Sequence, residues 1–579
     1  MLLADSQPEG FEALAGAEVF NHEHLPVAAA YCRRLGLVKL VNRLVPSKME
    51  LLPGLVVQAM VLDIFSGRSP LYRLENFFKD NDIELLLGEE VQAHSFNDSN
   101  VGRSLDAIYE AGPSRILTEL GVAATSIFRL DASVVSYDTT SNSVWGDYTT
   151  CEAEIPPPGP VITHGHSKDH HPELKQFMTE LLCVERGVPI FGKTLNGNSS
   201  DKTSNNELLS KLGPLMSKHG MGPGAFVYVA DSAMVTEKNL IELIMTLFIS
   251  RLPANYKECG RVIAEAVKAD KWIDIGSLAE DATSKSRPPA MYKAFETTVE
   301  LHGKGYRALV VHSSSHDKRR QKKLEKDIAK SAKRVENDLR RQTTSYSCEA
   351  DAMAAKKQAE KLSGGLHTVS ASVRMVETLR PGRPPSDGPA PTNKRYVLDF
   401  ETREDAAAIE REKTLAGCFV IISNVPSVGD NSLCAKGLLL TYKGQYGVES
   451  GFAFLKDPLV VNDLFLKTPA RIDALGMILI IALMVWRLME RSMRAHVKNT
   501  DRTLPGWDNR ETKKPTSFMM MHAITNIVVM VLGGKRHMVG GIGKRPAAFL
   551  EALGLEQDVF TNPQCQCIPI IPRKAQQNR

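Results

Sequence analysis

Apolar residues recur at steps of three and four through the first 128 positions, and that period predicts helices. Val27, Ala30, Leu35, Val38, Val41 and Leu44 form one stripe, and residues 55–65 and 101–108 repeat the habit. Asn97-Asp98-Ser99-Asn100 supplies helix-capping chemistry before the last of these. The texture changes at Ser126. Residues 126–141 read as a β-type run that ends in Asp138 and small hydroxyl residues. Strands are expected over 176–185 and 188–195, with Arg186-Gly187 as a tight hairpin turn between them. A helix over 205–219 leads to a short apolar strand over 225–230, which ends at Asp231. A helix over 237–246 and a strand over 247–251 follow.

From about 255 to 404 the pattern is mixed. Residues 264–272 and 306–311 predict a partly β unit. A charged helix is expected over 317–342, where Leu324, Ile328, Ala332, Val335 and Leu339 make an apolar stripe. Lys318, Arg319, Arg320, Lys322, Lys323 and further basic residues fall outside it, as a solvated face or a surface for phosphates. The proline- and glycine-rich stretch 381–391 reads as a connector. A clean buried strand is expected over 417–424. Residues 475–486 are the most apolar run, shorter than the roughly 20 residues a bilayer requires and therefore read as a buried core helix. Beyond about 500 the chain is basic, glycine-rich and expected to be peripheral.

Residues 441–456 carry the densest chemistry. Projected as a helix, Tyr442, Gln445, Glu449 and Lys456 share one narrow stripe, while Gly444, Gly447, Gly451 and Phe454 face the other way, toward a core. Each glycine costs a helix interior about 1 kcal/mol against alanine, so the helix is expected to begin only near Gln445. A hydroxyl, an amide, a carboxylate and an ammonium in line can grip a phosphate backbone and offer one metal ligand.

The spacing Tyr442-x2-Gln445-x3-Glu449-x6-Lys456 resembles the Tyr-Arg-Glu-Lys signature of bacterial insertion-sequence transposases. This chain departs from the signature at Gln445, which stands where those enzymes have arginine. The resemblance implies an α/β, ribonuclease-H-like mixed sheet interrupted by a large insertion, behind an N-terminal helical domain. The strand order read above agrees with that sheet. The division expected is a DNA-end-recognition domain over 1–125, catalytic parts over 126–255 and 405–498, an insertion over 256–404 and an extension over 499–579. In such a sheet Asp138 and Asp231 lie side by side, and Glu449 completes an Asp-Asp-Glu triad holding two Mg²⁺ or Mn²⁺ ions. Asp131 and Asp147 are the nearest competitors for the first position. Gly165-His166-Ser167-Lys168-Asp169-His170 resembles an active-site loop of one branch of these enzymes, in which Lys168 touches DNA. The resemblance gives Tyr442, Gln445 and Lys456 the scissile strand, and Trp272 a flipped base, against a plainer role as a core side chain.

Composition changes this picture little. A net charge of +4 over 579 residues restricts any nucleic-acid contact to local basic patches. Nine scattered cysteines argue against a disulfide framework. Cys565-Gln566-Cys567 lacks a second pair at zinc spacing and reads as a loose tail, and the histidine-rich 164–173 stretch, after Pro156-Pro157-Pro158, matches no standard finger. With Asp5 and Glu9 close to the start and no long apolar core, no secretory signal is visible, and a cytoplasmic protein with no membrane partner is expected. The function expected is a transposase acting on double-stranded DNA (terminal inverted repeats and target), as a homodimer when two ends are paired. A metal-dependent nuclease, a non-catalytic DNA-binding descendant and a coiled-coil scaffold built on the charged helix are the alternatives.

Overall fold

A single glycine shapes the start of the chain. Gly36 adopts φ 69°, a left-handed conformation that glycine enters cheaply, and it splits the first apolar stripe into Leu25–Leu35 (α1) and Leu37–Leu44 (α2). The computed structural model describes residues 17–67, 74–146, 148, 158–185, 187–278, 288–363, 365–379, 392–429, 431–457, 466 and 468–572. Asp147, Pro156, Pro157, Arg186 and the 381–391 connector lie outside the described residues.

Glu18–Asn21 (β1) precedes α1, and Pro53–Phe65 (α3), Leu74–Lys79 (α4), Ile83–Leu87 (α5), Asp98–Ala111 (α6) and Pro113–Phe128 (α7) follow it. Asn97 caps α6 as its sequence suggests, accepting the backbone N–H of Asn100 at 3.1 Å. Residues 126–128, expected in a strand, instead complete α7. The chain then divides into two compact units, one of 1–250 with 441–579 and one of 251–440.

The first unit carries Val134–Val144 (β2), Lys175–Val184 (β3), Val188–Leu195 (β4), Val227–Ala230 (β5) and Leu247–Arg251 (β6), side by side in the order β4-β3-β2-β5-β6. β2, β3 and β4 are antiparallel, whereas β5 runs parallel to β2 and β6 parallel to β5. The architecture is mixed α/β, and its strand order is consistent with a ribonuclease-H-like sheet. Asp201–Lys218 (α8) and Glu237–Glu242 (α9) make the connections. The N-terminal helices belong to this same unit, with α7 packed on β4.

The second unit has a core of its own. Lys257–Ala269 (α10) is helical, so most of the 264–272 stretch is not β. Ile273–Ser277 (β7), Met291–Leu301 (β8) and Lys304–Ser313 (β9) form an antiparallel run. Ser314–Arg340 (α11), Ser345–Tyr346 (β10), Glu349–Glu360 (α12), His367–Leu379 (β11), Thr392–Glu404 (β12) and Ala406–Leu415 (α13) come next. Cys418–Ser423 (β13), buried throughout, pairs antiparallel with β9. Val335, Leu339, Ala355, Ala359, Val369, Ala371 and Leu398 close a core among α11, α12, β11 and β12. The basic residues of α11 stay exposed, as the stripe predicts.

The chain returns through Ala435–Lys443 (α14), Tyr446–Leu455 (α15), Pro469–Thr500 (α16), Ser517–Ala523 (α17) and Lys544–Leu553 (α18). The apolar run read as too short for a bilayer is only the centre of the 32-residue α16, which is long and apolar enough to cross one. Its most apolar window is 89% buried inside the protein, against α1, α3, α6, α7 and β4. The residues after 500 are not peripheral either. Val528–Leu532 pairs antiparallel with β1, and α18 packs on α16. Nor is the tail loose: Cys567 is buried, and the Cys565 carbonyl accepts the Arg33 Nε–H at 2.7 Å.

Candidate active site

Two aspartates meet because two strands run parallel. The register pairs Val135 with Tyr228, Ser136 with Val229 and Tyr137 with Ala230, so the next residues, Asp138 and Asp231, occupy adjacent positions at the end of β5. Ends of parallel strands are where α/β sheets leave room for ligands. Asp231 also does the ordinary work of a strand-end aspartate, since its Oδ1 accepts the Ala233 N–H at 3.0 Å and caps a short helical turn. Asp138 Oδ1 accepts its neighbour's N–H, from Thr139, at 2.7 Å. Asp131 lies before the strand, where its Oδ1 accepts the Ser133 N–H at 2.9 Å.

Burial controls the charge here. It pushes the Asp138 carboxyl up to about 7, against the pull of Lys168 and the Thr139 N–H, and the negative charges of Asp231 and Asp201 add to the rise. Asp231 is raised for the same first reason, opposed by its bond from Ala233, with Asp201 and Lys168 acting on it in opposite senses. Underneath, the Tyr137 hydroxyl donates to buried Glu180 at 2.8 Å, and burial lifts Glu180 to about 7.

Glu449 sits on the first turn of α15 with its side chain exposed. That helix packs on β2 and β3, and at one point nothing larger than hydrogen fits between them. Gly187, at φ 104° in the β3–β4 turn, lies so close to Gly447 that a Cβ would fall 2.4 Å from the Gly447 carbonyl oxygen. Gly447, Gly451 and Phe454 are buried as projected, but Gly444 is exposed. The helix does start near Gln445, as the glycines predict, but Tyr442 lies on the preceding α14, which ends at Lys443, and this break resets the faces. Gln445 consequently points inward: it is buried, and its amide donates to the Tyr137 carbonyl at 3.3 Å. Its amide therefore packs α15 against β2 instead of facing a phosphate. Tyr442 is half-buried at the end of α14.

The two lysines expected on DNA are engaged within the protein. Lys456 pairs with Asp169 at 2.6 Å, which ties the end of α15 to the 164–173 loop. Lys168 Nζ donates to the Thr139 carbonyl at 2.7 Å and to Thr139 Oγ1 at 2.9 Å, and lies 3.1 Å from Asp201 Oδ2. Asp201 and Thr139 went unrecognised in the sequence. Asp201 is simply the first residue of α8, behind the Ser200 cap, and an acid in a first helical turn is commonplace. Trp272 belongs to the second unit, half-buried, with the Lys293 ammonium 4.6 Å from its ring centre and Phe295 and His312 edge-on to it.

Among the described residues, no three His, Cys, Asp or Glu side chains gather closely enough to hold a metal ion. Within the histidine-rich loop, His171 Nδ1 lies 2.9 Å from Glu173 Oε1, exposed. Asp138 and Asp231 nonetheless suit a hard divalent cation, because Mg²⁺ commonly takes only one or two carboxylates and completes its shell with water and substrate phosphate.

Two comparisons with known proteins bear on the chain. No curated protein matches it. Residues 17–122, which span β1 to the middle of α7, match a family model described as a domain of unknown function (DUF4277).

Proposed function

We propose that this protein is a DDE-type transposase, which cleaves DNA strands at the ends of a mobile element and joins them to target DNA. The observation that carries the reading is the placement of Asp138 beside Asp231 through the parallel β2–β5 register. The matched N-terminal domain is one found in transposases of the DDE family, which supports it. Asp138 and Asp231 would hold a divalent cation, and that ion supplies Lewis acidity for an in-line displacement at phosphorus. Glu449, exposed on a helix packed against the Asp138 strand, would be the third carboxylate of the reading. The chain's own contribution is positioning: Gln445 fixes α15 on β2, the Lys456–Asp169 pair fixes the adjacent loop, and exposed lysines and arginines neutralise backbone phosphates. The site of action is the bacterial cytoplasm.

The test is incubation of the purified protein with DNA flanking its own coding sequence and Mn²⁺. A 3′-hydroxyl nick at a repeat end, followed by joining to a second duplex, is the expected result. Asp138→Asn, Asp231→Asn and Glu449→Gln should each reduce cleavage by at least about 10³-fold, the scale of removing a group that acts on the transition state, with end binding retained. Substantial cleavage in any one variant removes that residue from the site. Cleavage without joining would leave a nuclease in place of a transposase.

A further inference from the structure

The Lys168 ammonium has three donors and three acceptors around it: the Thr139 carbonyl, Thr139 Oγ1 and Asp201 Oδ2. It is therefore spoken for before any phosphate arrives. Both ends of the residue are fixed, since its backbone N–H also donates to Ser141 Oγ at 2.9 Å on β2. Asp201 is anchored as firmly. Its Oδ1 accepts the Thr139 hydroxyl, and its backbone carbonyl accepts the Asn205 amide at 2.9 Å. Asn205 Oδ1 in turn accepts the Tyr228 hydroxyl at 2.8 Å, from the strand that ends at Asp231. Lys168 and Asp201 both act electrostatically on Asp138 and on Asp231, with opposite signs. One resident cation thus pairs with Asp201 and acts on both strand-end aspartates.

We propose that Lys168 is a built-in competitor for the divalent cation at Asp138 and Asp231, and that Asp201 is the positioning residue that holds its ammonium to one side, against Thr139. This rests on the metal-dependent reading above and adds a means of regulating that site. With Asp201 in place, the ammonium is directed toward Thr139 and the two strand-end carboxylates stay open. Without it, the half-buried ammonium loses its charged partner, and Asp138 and Asp231, on which it already acts electrostatically, would draw it.

A general charge effect also gives the two substitutions opposite signs, but only the competition makes the pair non-additive. Mn²⁺ binding to the full-length protein without DNA is measured by calorimetry or by electron spin resonance, with folding checked by circular dichroism. Lys168→Met should tighten Mn²⁺ binding roughly tenfold and Asp201→Asn should weaken it roughly tenfold, the scale of one unit charge at close range in a partly screened site. In the Lys168→Met background, Asp201→Asn should change affinity by less than about twofold, because its effect passes through the lysine. Lys168→Gln serves as the second variant if the methionine protein fails to fold. An equal loss from Asp201→Asn in both backgrounds overturns the gate and makes Asp201 a plain charge or a ligand. So does an affinity unmoved by either lysine substitution. Absence of Mn²⁺ binding in wild type and both lysine variants overturns the metal reading as well, which separates the two failures.

Discussion

At the scale of single residues, desolvation outweighs charge pairing around β2. Glu180 accepts a hydrogen bond from Tyr137, a contact that favours the ionised form, yet its carboxyl rises from 4.5 to about 7 because it is almost wholly buried. A folded-state value above the unfolded one stabilises the protein below the unfolded value, and that stabilisation is lost as pH rises through the folded value. Wild type should therefore lose stability relative to Glu180→Gln between pH 4.5 and about 7, by about 3 kcal/mol if the shift is fully expressed. Urea denaturation of both proteins at pH 4.5 and 7.5 measures this, and parallel curves would show that Glu180 stays ionised. Gln445 illustrates the same rule from the other side. Arginine there, although it restores the signature residue, would put a cation into a slot lined by the Tyr137 carbonyl, so Gln445→Arg is expected to destabilise the fold.

At the scale of elements, α15 is held at both ends by contacts that no local pattern contains. Its start is pinned by the Gly187–Gly447 approach and by Gln445, and its end by the Lys456–Asp169 pair. The pair is only partly screened from water, with side-chain exposures of 25% and 33%, so a small energetic contribution is expected from it, on the order of 1 kcal/mol. Its consequence is order in the 164–173 loop. Lys456→Ala and Asp169→Asn should each speed hydrogen exchange in that loop, and the double variant should add little to either, because both remove one interaction. Additive effects would assign the two side chains separate roles. α16 is tied to the β3–β4 turn in a similar way, through Arg491 and Glu185, with a second oxygen contact at 3.0 Å.

At the scale of the molecule, the two ends of the chain are structural partners within the first unit. β1 has Val528–Leu532 as its neighbour, and Arg536 reaches Asp82 at 2.6 Å and Glu84 at 2.8 Å. Arg536 and Asp82 are both nearly inaccessible, so removing one leaves the other's charge buried and unpaired. Arg536→Ala should destabilise this unit by about 3–5 kcal/mol, visible as a lower denaturation midpoint. A loss under about 1 kcal/mol would mean that water replaces the guanidinium.

Local pattern determined a good part of this. Runs bounded by turn residues placed β3 and β4 almost to the residue, three- and four-residue steps placed the helices, and together they put Asp138 on its strand and Asp231 at the end of the next parallel one. The apolar stripe from Leu324 to Leu339 gave the approximate extent of α11 and the exposure of its basic face, because burial of one face leaves its mark within a few residues. The tertiary structure decided everything that depends on a partner distant in sequence. It turned Gln445 inward, took Lys168 and Lys456 into ion pairs, and brought the unremarked Asp201 into contact with Lys168. It also joined β1 to a strand some 510 residues away. A side chain's period reports only which way it faces; what it meets there is fixed by the elements packed against it, and the sequence carries no local record of that.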